Sequence, residues 1–111
     1  MTPDYTKIEE FVRAKLKPSR FIHSEGVMEM SVLLSSRFGV DEEKAKIAAI
    51  YHDAYRYDST PESIAIVEKG GYEVWPEERK DPMLLHGALA AVNFDRDAGC
   101  VVSSDMKDAV R

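Results

Sequence analysis

One cysteine, Cys100, is all the thiol chemistry that this chain of 111 residues holds. It can form no internal disulfide, and a reducing cytoplasm is the expected location. Long apolar runs are also missing. None approaches the length of a membrane span, and the opening Met1-Thr2-Pro3-Asp4-Tyr5 has no apolar signal region, so no membrane is expected among the partners. Positive charge is scarce: 15 lysines and arginines stand against 20 acids, for a net charge of -5. That lacks the basic footprint of nucleic-acid binding. An anionic small molecule stays admissible, because a bound divalent cation reverses the local field. Alternation of the strand kind never lasts; Cys100-Val101-Val102 is too short to count. No repeat or low-complexity segment is present.

What is there is ordinary for a globular protein, with 44% hydrophobic and 32% charged residues. The length predicts one small domain over residues 1–111, able to bury a core of modest margin. The pattern predicts an all-α bundle of about five to six helices. Tyr5, Ile8, Phe11, Val12 and Lys15 put a first helix near 4–16. Pro18-Ser19 opens a second near 20–38, with His23, Val27, Met30, Leu34 and Phe38 as its inner stripe and Gly39 as its stop. Asp41 caps a third, and Glu42 and Glu43 suit its dipole. Thr60-Pro61-Glu62 starts a fourth that ends at Gly70-Gly71. Residues 72–83 read as a loop with at most one helical turn. A fifth helix follows near 84–94, and Ser103 or Ser104 caps a last segment.

Histidine is sparse, and its placement is the chief clue. Of 3 histidines, His52 adjoins Asp53 at the end of the third helix, and His23 and His86 lie on other helices. Imidazole suits zinc, iron, nickel or copper, and a carboxylate extends the range to magnesium and manganese. Taken singly, each residue also has a plain structural reading. His52 suits a helix C-terminus, Asp53 a turn, His23 and His86 a packed helix face, and Arg56 a solvated surface. Asp53 argues for more: a carboxylate within Ala48-Ala49-Ile50-Tyr51-His52-Asp53-Ala54-Tyr55 lies on or beside a buried face, where it needs a partner or a cation. Arg56, one turn past His52 and Asp53, has a planar fork for a carboxylate or a phosphate. Tyr51, Tyr55 and Tyr57 suit either a base pocket or the core. The run 77–81, Glu-Glu-Arg-Lys-Asp, reads as a solvated face.

Four ordered segments carry a resemblance: Arg20-Phe21-Ile22-His23-Ser24-Glu25-Gly26-Val27, Phe38-Gly39-Val40-Asp41-Glu42-Glu43-Lys44-Ala45, His52-Asp53, and Leu84-Leu85-His86-Gly87. Together they resemble the HD-domain superfamily of metal-dependent phosphohydrolases and, more narrowly, the symmetrical diadenosine tetraphosphate hydrolases. The resemblance implies an HD-domain helical bundle. It implies a divalent metal centre, iron first, with manganese, zinc or magnesium as alternatives. It implies hydrolysis of diadenosine tetraphosphate to two ADP by a metal-activated water. His23, His52, Asp53 and His86 match metal ligands, with Asp53 as the bridging carboxylate. Arg56 stands where the subfamily has lysine, as a catalytic and phosphate-binding residue.

The family pattern goes on to a His-Thr motif and a later aspartate ligand. Here the match runs to Asp108-Ala109-Val110-Arg111, at the last residue of the sequence. The expectation is a chain short of the family's C-terminal helices, with an incomplete dinuclear site. The four ligands present would then hold one ion weakly, and bare apolar surface would favour a homo-dimer. Two alternatives follow: an HD phosphohydrolase for another nucleotide, or a degenerate HD domain that binds a nucleotide or a partner protein without catalysis.

Overall fold

Caps and prolines in the sequence set the helix boundaries of this computed structural model, which describes residues 3–111. Asp4 accepts from the Thr6 amide at 3.0 Å and opens α1, Tyr5–Lys15. Pro18, which has no amide hydrogen to waste, sits at the start of α2, Pro18–Phe38. Gly39 ends α2 in the left-handed conformation, φ 70°, which costs glycine little. Asp41 accepts from the Lys44 amide at 3.0 Å and opens α3, Glu42–Tyr51. No glycine follows α3. Residues 52–58 continue in tight turns instead, with amides of Ala54, Arg56 and Asp58 donating to the carbonyls of Tyr51, Asp53 and Tyr55.

Beyond these turns come α4, Ser63–Lys69, α5, Pro76–Lys80, a 3-10 turn, Pro82–Leu85, α6, His86–Ala98, and α7, Ser104–Val110. The described residues hold seven α-helices and no strand, as an all-α reading requires, with more helices than the five to six expected. The addition is α5, in the segment read as a loop. Its two prolines break nothing, because each occupies the first turn of a new element.

One core joins α1, α3 and α6. Ile8 and Val12 of α1, Ile47, Ile50 and Tyr51 of α3, and Ala90 and Phe94 of α6 are all buried. Tyr51 stacks on Phe94 with ring centroids 4.1 Å apart. Its hydroxyl donates to Asp97 at 2.6 Å, and Tyr55 donates to the same carboxylate oxygen at 2.5 Å. Tyr51 and Tyr55 are thus core residues, whereas Tyr57 is exposed. Burial, then the Asp97 hydrogen bond, pushes both buried phenols well above the usual tyrosine range.

Two expectations are corrected. The stripe His23, Val27, Met30, Leu34 and Phe38 does share one side of α2, but this side faces outward: Phe38 is 71% exposed and Met30 56%. The packed side instead carries Phe21, Ser24 and Ser35, with Ser31 donating to the Ala45 carbonyl of α3. Small residues there let α2 and α3 come together closely. In the charge run 77–81, Glu78 is buried, not solvated. Arg111 grips it through two bonds of 2.8 and 2.9 Å and lies 4.0 Å over the Trp75 ring. No helix among the described residues is long and apolar enough to cross a membrane.

Candidate metal centre

Three elements converge on Asp53. It lies two residues past the end of α3, is only 1% exposed, and is held in the turns that follow. A carboxylate so buried must find positive charge or hydrogen-bond donors. Arg20, in the first turn of α2, supplies both: Nε at 3.2 Å and Nη2 at 2.8 Å meet the same oxygen, Oδ2. Arg56, one turn further on, brings Nη1 to 3.7 Å from the other oxygen, Oδ1. His86, the first residue of α6, brings Nε2 to 3.5 Å from Oδ1.

The histidine tautomers follow from what their inner nitrogens touch. Nδ1 of His86 lies 2.8 Å from the Met83 carbonyl oxygen. Nδ1 of His52 lies 2.5 Å from the Ala49 carbonyl oxygen. A carbonyl only accepts, so both Nδ1 atoms carry hydrogen, and Nε2 is the nitrogen left for another partner. This is the arrangement in which protein histidines ligate metals: one nitrogen anchored to the backbone, the other free.

The consequence at His86 is specific. Its Nε2 lies 3.5 Å from Asp53 Oδ1, a carboxylate oxygen that only accepts. A proton on Nε2, or a cation between the two atoms, satisfies both. His23, on the second turn of α2, stands beside His52, with ring centroids 6.4 Å apart. The sequence-predicted residues therefore gather as two neighbouring pairs, His86 with Asp53 and His23 with His52. Among the described residues no group of three or more His, Cys, Asp or Glu side chains is drawn together tightly enough to hold an ion outright. Three imidazoles and a carboxylate nonetheless fit the donor chemistry of a divalent metal.

Arg20 is the member of this cluster that the sequence did not single out. Its signal was faint: an arginine one turn before His23 on the same helix. An open cleft of about 360 Å³ between α2, α3 and α7 runs up to His52, lined mostly by Val27, Ala45, Ala48 and Ala49. Its size is that of a small-molecule site.

A sequence profile of the HD domain matches residues 20–98, a span that includes Arg20, His23, His52, Asp53, Arg56 and His86. A Bacillus subtilis protein named bis(5'-nucleosyl)-tetraphosphatase, symmetrical, is 37% identical over 102 residues, covering 90% of this chain and 53% of that protein. A protein of the same name from Halalkalibacterium halodurans is 32% identical over 63 residues, covering 57% of this chain and 34% of that one. The crystal structure of a predicted HD superfamily hydrolase involved in NAD metabolism, from Clostridium acetobutylicum, superposes with a TM-score of 0.83 at 31% identity. That match covers 99% of this chain and 58% of that one. The chain spans about half the length, or less, of the curated relatives it matches.

Proposed function

The chain belongs to the HD domain family, and on that premise we propose that it is a metal-dependent phosphohydrolase that splits dinucleoside polyphosphates, diadenosine tetraphosphate into two ADP in particular. The observation that carries this reading is the pair His86 Nε2 and Asp53 Oδ1, an imidazole nitrogen 3.5 Å from a buried carboxylate oxygen. The relatives' printed names supply the substrate class.

His23, His52, Asp53 and His86 would hold the ion, with iron favoured and manganese, zinc or magnesium as alternatives. A divalent ion there supplies Lewis acidity for a phosphate oxygen and acidifies a water. The chain's own residues do the rest. The Met83 and Ala49 carbonyls hold Nδ1 of His86 and of His52, which leaves each Nε2 for the ion. Arg56, beside Asp53 and partly exposed, has a fork suited to a phosphate and to the charge that develops on it. The apolar cleft that ends at His52 is placed for the nucleoside. No residue of the cluster need act as a nucleophile. Cytoplasmic location and pairing with a second copy belong to the same reading, the latter supported by the bare apolar side of α2.

The experiment is metal content by elemental analysis on chelator-free protein, followed by hydrolysis of diadenosine tetraphosphate with product analysis. ADP as sole product, dependent on the ion, is the expected result. A chain that takes up no iron or manganese and cleaves nothing overturns the proposal. The Clostridium acetobutylicum neighbour's link to NAD metabolism favours a second reading, cleavage of another nucleotide pyrophosphate. NAD in the same assay separates the two.

A further inference from the structure

α2 and α3 run antiparallel, and the contacts between them and their flanking turns fall in one order. Ser31 meets the Ala45 carbonyl. His23 stands beside His52, and Arg20 bonds Asp53. Last, the Lys17 amide donates to the Tyr57 hydroxyl at 3.4 Å. The candidate metal centre thus sits midway along a seam. On one side of it lies the apolar cleft that ends at His52. On the other lies Tyr57, the tyrosine that the core does not take. Its ring is 43% exposed, yet its hydroxyl is tied to the backbone where α2 begins. The Lys17 ammonium lies 5.4 Å from the ring centroid, within cation–π range. Asp58, the next residue, is pinned by an ion pair with Lys15. Charge at this end of the seam has one prevailing sign: over 15–20 and 53–58, Lys15, Lys17, Arg20 and Arg56 outnumber Asp53 and Asp58, in a chain whose net charge is -5.

Resting on the phosphohydrolase reading above, we propose that Tyr57 and Lys17 form a second nucleoside subsite. The phenol ring stacks on one purine of a dinucleoside polyphosphate, and the Lys17 ammonium takes the phosphate beside it. The cleft at His52 takes the nucleoside at the other end. An exposed aromatic ring with a cation next to it suits a base and its phosphate, and lysine serves the phosphate as a point charge. The order along the seam matches the order within such a ligand: apolar cleft, centre with Asp53 and Arg56, then cation and ring against nucleoside, polyphosphate, nucleoside. A nucleotide with the same phosphates but a single base fills one end alone. The pair Tyr57 and Lys17 therefore sets the preference for a ligand with two bases.

The test is calorimetric titration, in buffer containing Mn²⁺, of the wild type, Tyr57→Leu, Tyr57→Phe and Lys17→Met. One probe is diadenosine tetraphosphate with a methylene group in place of its central bridging oxygen, which cannot be split into two ADP. The other is adenosine 5'-tetraphosphate, with as many phosphates and one adenine. The wild type is expected to bind the two-base probe about tenfold more tightly. Tyr57→Leu should lose that preference, Tyr57→Phe should keep it, and Lys17→Met should weaken both probes. A Tyr57 that only tethers α2 would lower the melting temperature and leave the ratio of affinities alone. Should Tyr57→Leu not fold, Tyr57→Gln, which also lacks a ring but can still accept from the Lys17 amide, decides in its place. Equal affinity of the wild type for both probes, or full preference in the ringless variant, overturns this inference and leaves the phosphohydrolase reading standing. No binding of either probe by the wild type overturns both.

Discussion

The Tyr51 hydroxyl meets Asp97 at 2.6 Å and thereby ties the last residue of α3 to the far end of α6. Tyr51 directly precedes His52, and α6 begins at His86. The bond therefore helps set how the two histidine-bearing elements stand to each other.

Replacing Tyr51 by Phe keeps the ring on Phe94 and removes only this bond. The buried Asp97 then loses one of its two phenol donors. A cost of about 1–3 kcal/mol is expected, read as a lower denaturation midpoint in urea with an unchanged m-value. Tyr55, which also bonds Asp97 and accepts from Arg96 at 2.9 Å, limits the damage.

High pH should expose the same pair of tyrosines. Both have folded-state pKa values raised far above that of an unfolded tyrosine, by burial first and the Asp97 bond second. Their contribution is thus complete below about pH 10, the unfolded value, and is lost as pH rises beyond it. The loss is about 1.4 kcal/mol per pH unit for each tyrosine. Tyr51→Phe removes one of them, so its deficit against the wild type should shrink above pH 10. Urea melts at pH 8 and pH 11 check this, and a constant deficit would contradict it.

Acid acts on a different pair. The Arg111 hydrogen bonds hold the Glu78 carboxyl below its ordinary range. The pair therefore stabilises the fold above about pH 4.3, the unfolded glutamate value, and its contribution fades as pH falls through the lower folded value. Arg111→Met strands a buried carboxylate at neutral pH, at a cost of about 3 kcal/mol. Lowering the pH to 4 lets Glu78 take a proton, so the gap to the wild type should narrow in thermal melts.

Asp53→Ala should abolish metal retention, because it removes the one carboxylate of the cluster. His86→Ala should do nearly as much. Loss of an outer-shell partner alone typically costs 10–100-fold in affinity, and these two are the proposed ligands themselves. Elemental analysis after gel filtration reads both; wild-type metal content in Asp53→Ala would sink the ligand assignment.

The outward side of α2 invites association. Met30, Leu34 and Phe38 share that side at four-residue spacing and are each about half exposed or more, and apolar surface of this kind marks an interaction face. Light scattering is expected to give a mass above that of one chain. Leu34→Lys with Phe38→Lys should restore a single chain while shifting stability by no more than about 0.5 kcal/mol per site, as for exposed positions generally.

Much of this was legible in local sequence. Asp41, Gly39 and Pro18 act over a few residues, and each marks the helix end that its chemistry predicts. His52 and Asp53 adjoin in sequence, and the structure keeps them at the end of α3. What was hidden depends on distance or on side. Periodicity says which α2 residues share a face; it does not say whether that face is covered, and His23 through Phe38 proved to be the uncovered one. Glu78 looked solvated inside a run of charges because its partner, Arg111, lies 33 residues away. Arg20 is the same case: 33 residues separate it from Asp53, and nothing nearby in the sequence announces the pair. Pro76 and Pro82 suggested loop because a proline that starts a helix and one that stops it look alike until the next turn is seen.

Gly87 stands beside His86, where a methyl group would lie 2.7 Å from the carbonyl oxygens of both Val110 and Arg111. The end of α7 can rest on α6 only because this position carries a hydrogen atom. Even alanine would push α7 off its seat and tilt the first turn of α6, the turn that presents His86. A survey of tolerated substitutions would therefore mark Gly87 as intolerant, in company with the histidines and the aspartate, although it offers no lone pair and no charge. Selection would draw the boundary of this site around a bare patch of backbone as firmly as around the groups that do its chemistry.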